Sequence, residues 1–491
     1  MKPISLPPDA ASLMWSTRAI GYTTPAAVAD LIDNSISAEA SNIYIKYLPG
    51  ENGYVSILDD GKGMTSSDLI RAMKYGSSSP FDERLDNDLG RFGLGLKTAS
   101  LSQCRKLTVA SKKNNSICAY SWDLDYILSS ETGSWDLLEL DNTEINQLPQ
   151  IERLSKLDEG TLVVWNSLDR MCAGDEDKET GFKKHIKEVE EHLSLTFHRF
   201  LQGEPGLKKL SIYSNEIQLE PADPFYISRS DERPSEKILI PYTDNHGAYK
   251  KAQVIVTPYI LPFPDSISQE ELDRLGGKEG LIKNQGFYVY RNKRLIVAAS
   301  WFRLARKTDL SKLCRIRVDM PSVLDELWTI DVKKSMALPP EAVLRDLRRI
   351  VVPSMNSGKK KYRFRATNET KRDYTPLWIS GESRKGIIYS INPEYPLLKQ
   401  IYEESPNPNR IKVLIRLIEQ NIPVNTIHSD FYDDKKYAFE DVDEAFENVK
   451  QNIRELLSEI PLESRQEAFE EIMSVRPFSE YEITLKELGD I

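Results

Sequence analysis

The period of the hydrophobic positions changes repeatedly along the first 215 residues. Short runs with two-residue alternation or continuous apolar character, NIYIKYL (42–48), YVSILD (54–59), KLTVAS (106–111) and TLVVW (161–165), predict strands. Between and after them lie stretches of helical period such as EEHLSLTFHRFL (190–201). The mixture predicts an α+β domain over 1–215. From 216 to 355 the strand-like KILIPY, AQVIVTPYI, QGFYVYRNKRLIV and CRIRVDM precede a helical PPEAVLRDLRRIV, which predicts a second α+β domain. Residues 356–385 form a polar, basic connector containing SGKKKYRFRATNETKR. The remainder, 386–491, is read as a helical C-terminal region, with Val442, Ala445, Phe446, Val449, Ile453 and Leu456 at helical spacing.

One predicted helix has polar positions that need explaining. It starts at Thr24 as N-cap with Pro25 at the first helical position, and Val28, Leu31, Ile32 and Ile36 fall on one side. Asp30, Asn34 and Ser37 share another side at spacings of four and seven, while Asp33 points roughly 60° away from Asp30. A surface helix with its polar side in water has the same pattern, so the helix acquires meaning only from the segments downstream of it.

Composition narrows the field. The formal net charge is -10, which argues against non-specific nucleic-acid binding by the whole molecule and confines any such site to a local patch. No run approaches the ~20 apolar residues of a membrane span, and the N-terminus lacks a basic segment followed by an apolar core. The expectation is a cytoplasmic protein without membrane contact. Cys104, Cys118, Cys172 and Cys314 have no C-x-x-C spacing, so neither a zinc site nor a disulfide framework is expected.

Two glycine-containing stretches lie beyond the helix. In YVSILDDGKGM (54–64) an apolar strand runs into Asp59-Asp60-Gly61-Lys62-Gly63. A carboxylate at a strand end accepts a hydrogen bond from an exocyclic amine, and glycines let backbone approach a flat ring, although an Asp-Gly turn would look alike. In GRFGLGLKTAS (90–100), glycines at 90, 93 and 95 lead into a helical segment whose amides could cradle phosphates. Leu96 between Gly95 and Lys97 breaks the P-loop spacing, and the glycine order is the reverse of the dinucleotide fingerprint. The polar SSSPFDERLDNDL that precedes it reads as a mobile lid rather than a buried strand.

Taken in order, DLIDNSISA, DDGKGM, the variable lid, GRFGLGLKTAS and the Gly160-Thr161 of EGTLVVW resemble the GHKL ATP-binding superfamily of gyrase, heat-shock chaperones, histidine kinases and MutL. The resemblance implies an N-terminal GHKL (Bergerat) α/β sandwich that binds ATP and Mg²⁺. Asn34 then matches the magnesium ligand, an oxygen donor suited to a hard cation. Asp59 matches the residue that binds the adenine amine, Gly63 lines the base, and Gly61 and Met64 belong to the same segment. Gly90, Gly93 and Gly95 match the glycines that wrap the phosphates, with Arg91, Phe92, Leu94, Leu96 and Thr98 in the same stretch and Lys97 as a charge partner. Thr161 matches the threonine that supports the adenine-binding aspartate. The catalytic base, usually glutamate four residues before the asparagine, is here Asp30. Its side chain is one methylene shorter, so slow hydrolysis is expected, general-base help being worth roughly 10² to 10⁴-fold.

The residues before 25 contain no histidine, and His192 and His198 lie on a helix-like stretch, which argues against a histidine kinase. QGFYVYRNKRLI and LWTIDVKKSMALPP instead resemble the transducer domain of MutL and MORC proteins, in which a lysine reaches the γ-phosphate; Lys333 or Lys334 would be that residue. The pattern is similar to prokaryotic MORC-like or MutL-like proteins that accompany restriction and phage-defence genes. It implies an ATP-dependent homodimer closing as a clamp on DNA, with a partner nuclease or helicase, because nothing in the tail resembles a metal-dependent endonuclease site. Lys359, Lys360, Lys361, Arg363 and Arg365, interleaved with Tyr362 and Phe364, are candidates for nucleic-acid contact; a solvated charged strand has the same composition. A chaperone-like or scaffold ATPase, or a non-hydrolysing nucleotide sensor acting on proteins, is the alternative.

Overall fold

A computed structural model describes residues 9–19, 21–75, 95–129, 134–171, 177–244, 247–276, 280–325, 327–328, 338–351, 353, 377–383, 386–423, 442–458, 465–473 and 483–488. The chain divides into two compact units, Met1–Lys359 and Lys360–Ile491.

The first unit opens with helices α1 (Ala10–Arg18) and α2 (Thr24–Ser37), strands β1 (Asn42–Leu48) and β2 (Tyr54–Asp59), and helices α3 (Ser66–Met73) and α4 (Gly95–Leu101). There follow β3 (Lys106–Lys113), β4 (Ser116–Asp123), α5 (Leu124–Ser129), β5 (Leu138–Glu139), α6 (Asn142–Asn146), α7 (Ile151–Lys156) and β6 (Gly160–Asn166). Helices α8 (Lys178–Thr196) and α9 (His198–Gln202) and the hairpin β7 (Ser211–Ser214) and β8 (Ile217–Gln218) complete the first sheet, ordered β5-β4-β3-β6-β2-β1-β7-β8. The predicted strands NIYIKYL and YVSILD coincide with β1 and β2. The predicted helix 190–201 is broken, with α8 ending at Thr196 and α9 starting at His198. The boundary expected at 215 falls in the turn of the β7–β8 hairpin, which pairs with this sheet.

Two-residue alternation sorts the strand side chains onto two faces. Val55, Ile57, Leu107, Val109, Val163 and Trp165 point into the main core, which α1, α2, α4 and α8 close with Met14, Val28, Ile32, Ala99, Ile186 and Leu193. Their neighbours Leu58, Ala110, Leu162 and Val164 face the opposite side, beneath Ile145 of α6 and Ile151 and Leu154 of α7. The larger of the two cores is the first, and within it α2 packs against both α4 and α8.

The start of α2 differs from expectation by one residue. Thr23 is the N-cap, its hydroxyl accepting the Ala26 amide, while Thr24 is inside the helix and donates its hydroxyl to the Gln103 side-chain carbonyl at 2.7 Å. The tertiary partner at Gln103 explains why a local capping rule misplaces the boundary.

The second sheet contains β9 (Asp231–Glu232), β10 (Glu236–Thr243) and β11 (Tyr249–Ile260); helices α10 (Gln269–Gly276) and α11 (Gly280–Lys283) intervene before β12 (Gly286–Arg291), β13 (Arg294–Ser300) and β14 (Cys314–Met320). Its order is β10-β11-β14-β12-β13, with β9 on β11 and β12 parallel to β14. Asn292 and Lys293, at φ 46° and 72°, make the tight turn of the β12–β13 hairpin. A helix over 341–351, α12, follows.

Buried polar contacts join the two sheets. Arg294 at the start of β13 donates its Nε to Asp33 of α2 at 3.0 Å, with side-chain exposures of 3% and 0%. Arg199 of α9 pairs with Asp319 and, at 2.5 Å, with Glu204, while His198 Nε2 lies 2.7 Å from the Tyr290 hydroxyl. Burial pushes both His192 and His198 down to about 4, in keeping with packing roles at this joint.

In the second unit β15 (Trp378–Ser383) and β16 (Gly386–Ile391) form an antiparallel hairpin that the hydrophobic pattern did not predict. Helices α13 (Pro396–Glu404), α14 (Pro408–Gln420), α15 (Val442–Ser458) and α16 (Arg465–Met473) coincide with the expected helical stretches. Tyr395, Val449, Ile453, Leu457, Phe469 and Ile472 form their core.

Removing one member of a buried ion pair strands the other charge. Arg294→Met is therefore expected to destabilise the first unit by about 3–5 kcal/mol in urea unfolding, and adding Asp33→Leu to recover most of that loss. A single variant within about 1 kcal/mol of the parent would show that the pair is not what fixes the joint.

Candidate functional site

The site is built around α2 and the strand ends beneath it. Asp59 is the last residue of β2, in register with Thr161 of β6, which is in turn opposite Ser111 of β3. All three are on the helix side of the sheet. Ser35 of α2 donates its hydroxyl to Asp59 Oδ2 at 2.8 Å, and the Gly61 amide donates to Oδ1 at 3.0 Å. Burial nevertheless pushes the Asp59 carboxyl up to about 6, with Ser35 and the Gly61 and Thr161 amides opposing the shift. Ser111 lies 3.0 Å from the Thr161 hydroxyl, donates to the Gly160 carbonyl at 2.9 Å and accepts the Met64 amide at 2.8 Å. This network ties the chain after β2 to the two neighbouring strands.

Gly63 sits where only glycine fits. Its φ is +54°, and a Cβ there would lie 2.1 Å from the Lys112 carbonyl oxygen. Asp60, by contrast, serves the loop, accepting the Ser41 amide at 2.7 Å, the Asn42 amide at 2.9 Å and the Asn42 side chain at 2.8 Å.

At the other end of the site Asp30 and Asn34 are one helical turn apart on α2, Asp30 buried and Asn34 exposed. Tyr22 donates its hydroxyl to Asp30 Oδ2 at 2.9 Å. Gly95, which opens α4, lies so close that an added Cβ would be 3.4 Å from the same oxygen. Leu96 is half-buried, and Thr98 is buried in the body of α4. Lys97 is 1% exposed and donates to the Ala72 carbonyl at 2.9 Å; burial lowers its ammonium to about 8.

The structure thus brings together Asp30, Asn34 and Gly95 on one side, and Asp59, Gly61, Gly63, Met64 and Thr161 on the other, with α2 spanning both. Gly90, Arg91, Phe92, Gly93 and Leu94 lie outside the described residues, as do the expected lid 77–89 and Lys333, Lys334, Lys359, Lys360, Lys361, Arg363 and Arg365. Sequence reasoning overlooked Tyr22, Ser35 and Ser111. Ser35 and Ser111 stand in segments already singled out, yet only the packing of α2 on the sheet shows which hydroxyls meet Asp59. Asp33, set about 60° from Asp30 on the helix, is fully buried in its pair with Arg294 and faces the second sheet.

Residues 22–161 match the family described as histidine kinase-, DNA gyrase B-, and HSP90-like ATPase. The ATPase morc-1 of Caenorhabditis elegans is 32% identical over 94 residues, 19% of this chain and 11% of that protein. The DNA mismatch repair protein MutL of Dictyoglomus turgidum is 37% identical over 89 residues, 17% of this chain and 15% of that protein. The MutL of Coxiella burnetii (strain Dugway 5J108-111) is 35% identical over 95 residues, 19% of this chain and 17% of that protein. In each case the likeness spans less than a fifth of the relative's length.

The raised pKa of Asp59 has a sign. Below about pH 4 the carboxyl is protonated in both folded and unfolded chains; as pH rises toward 6 the unfolded chain releases the proton first, so folded stability declines through that window. Asp59→Asn removes the titration. Its stability relative to the parent is expected to rise by on the order of 2–3 kcal/mol between pH 4 and pH 7, measured by urea unfolding across pH. A pH-independent difference would show that burial does not penalise the Asp59 charge.

Proposed function

With residues 22–161 forming a GHKL ATPase domain similar to those of MORC and MutL proteins, we propose that the protein binds Mg-ATP, hydrolyses it slowly, and acts as an ATP-gated dimeric clamp or switch in DNA transactions such as restriction or phage defence. The observation that carries the ATPase reading is the convergence on one helix of Asp30 beside Gly95 and, five residues on, Ser35 bonded to Asp59. The two carboxylates are braced at separate positions, one suited to a base edge and the other to phosphate chemistry.

In this mechanism Asp59 accepts the exocyclic amine of adenine, and Gly63 lets backbone lie against the ring. Asn34 would hold Mg²⁺ through its side-chain oxygen. The donor fits such an ion: Asn34 is exposed one turn along α2 from buried Asp30, and magnesium commonly takes one or two protein oxygens together with phosphate oxygens and water. When bound, it neutralises charge on the phosphates. Asp30 orients a water for in-line attack on the γ-phosphorus and takes its proton as the new P–O bond forms, while the bond to the β–γ bridging oxygen breaks and ADP leaves. The short aspartate makes the step slow, which suits a switch whose lifetime in the closed state matters more than its turnover.

The DNA role rests on the relatives named as DNA mismatch repair proteins and on the basic cluster 359–365. The overall charge of -10 favours the second reading, a scaffold or chaperone-like ATPase with protein clients. Steady-state phosphate release with Mg-ATP, with and without duplex DNA, separates them. The expected result is slow release that rises with DNA and falls at least ~100-fold in Asp30→Asn with ATP affinity retained. Release unaffected by DNA would move the client to protein, and ATP binding without any release would make the protein a nucleotide sensor.

A further inference from the structure

Tyr22 stands outside the glycine-containing and acidic motifs of the ATP site. It lies in the short link between α1 and α2, is only 7% exposed, and its hydroxyl donates to Asp30 Oδ2 at 2.9 Å. We propose that Tyr22 is the positioning residue for Asp30, fixing the plane of the carboxylate so that a shortened acidic side chain can still direct water at the terminal phosphate. The proposal rests on Asp30 being the general base.

A shorter acid has less freedom to correct its aim. Aspartate has one rotatable bond fewer than glutamate between backbone and carboxylate, so its reach cannot be adjusted and its orientation decides what it contacts. A hydrogen bond to one oxygen fixes rotation about the last bond and hence the direction in which the other oxygen accepts. The donor is phenolic and rigid, with its ring buried, so the bond loses little side-chain entropy on forming.

Tyr22 is itself held from the phosphate side of the site. Gln103, 3% exposed and just beyond α4, donates its amide to the Tyr22 carbonyl at 3.2 Å and to Ser102 Oγ at 2.8 Å, and accepts the Thr24 hydroxyl at 2.7 Å. The first residue of α4, Gly95, comes so near the Asp30 oxygen that Tyr22 bonds that a Cβ added there would lie 3.4 Å from it. Both ends of α4 therefore border one carboxylate, Gly95 lying close beside it and Gln103 reaching it through Tyr22. A bond serving only to satisfy a buried acid would need neither the second brace nor its connection to α4.

The test is a double-mutant cycle on the full chain, with single-turnover phosphate release, ATP binding and thermal unfolding measured for the parent, Tyr22→Phe, Asp30→Asn and the double variant. Tyr22→Phe is expected to lower the rate by about 10- to 100-fold with KM and ATP affinity within about twofold, and to have no further effect once Asp30 is Asn. The proposal is overturned if Tyr22→Phe leaves the rate within twofold while lowering the unfolding temperature, or if its full loss persists in the Asp30→Asn background. A parent that binds ATP and releases no phosphate overturns the ATPase reading and this proposal together, which sets that failure apart from an active parent indifferent to Tyr22. Should Tyr22→Phe not fold, Gln103→Met removes the brace alone and is expected to lower the rate less, again only when Asp30 is present; no change in rate there counts against the proposal.

Discussion

Two buried carboxylates on α2 dictate how the first unit is assembled. Asp30 and Asp33 sit three residues apart on a helix enclosed by α4, α8 and the first sheet, where an uncompensated charge costs several kcal/mol. Three residues along a helix leave the two acids about 60° apart on neighbouring strips of α2, and each requires its own partner. Tyr22 supplies a hydroxyl to Asp30 from the preceding link, and Arg294 supplies a guanidinium to Asp33 from the second sheet. The pose of α2, and with it of Asn34 and Ser35, is thereby set by elements on both sides of the helix.

Asp59 has a different balance. Its partners are neutral donors, and they do not fully offset the loss of water, so the folded protein carries an acid whose ionisation is disfavoured. A site that must accept hydrogen bonds from a ligand gains from this arrangement, because the ligand's donor meets an acceptor short of solvation. Burial of this carboxylate costs stability, as is common where a group is placed for a ligand rather than for the fold.

The β12–β13 hairpin extends the same logic into the second sheet. Its flanking arginines hold two buried aspartates, Arg294 holding Asp33 and Arg291 holding Asp325 through bonds of 2.8 Å. Two positive-φ residues make the intervening turn, which sets the two arginines on either side of it. Four hairpin residues thus span the distance between α2 and the loop after β14.

Much of this was legible in the chain. The strands 42–48 and 54–59, the strand character of 285–297 and the C-terminal helices were readable because alternation and helical spacing are local patterns, and the order DLIDNSISA, DDGKGM, GRFGLGLKTAS carried the resemblance to the GHKL superfamily because each motif is itself local. The break between α8 and α9, the cap at Thr23 and the β15–β16 hairpin were not, since packing and pairing with distant residues decide them. Residue order alone was enough to name the side-chain types of the candidate site and to put Asp30 where the resemblance implies a glutamate. It took the packing of distant segments to turn Asp33 to Arg294, 261 residues away, to bring Ser35 and Ser111 to the Asp59 and Thr161 end, and to set Tyr22 against Asp30. A helical wheel gives the direction of a side chain about its own axis, but the partner that neutralises a buried charge is chosen by whichever distant segment packs there.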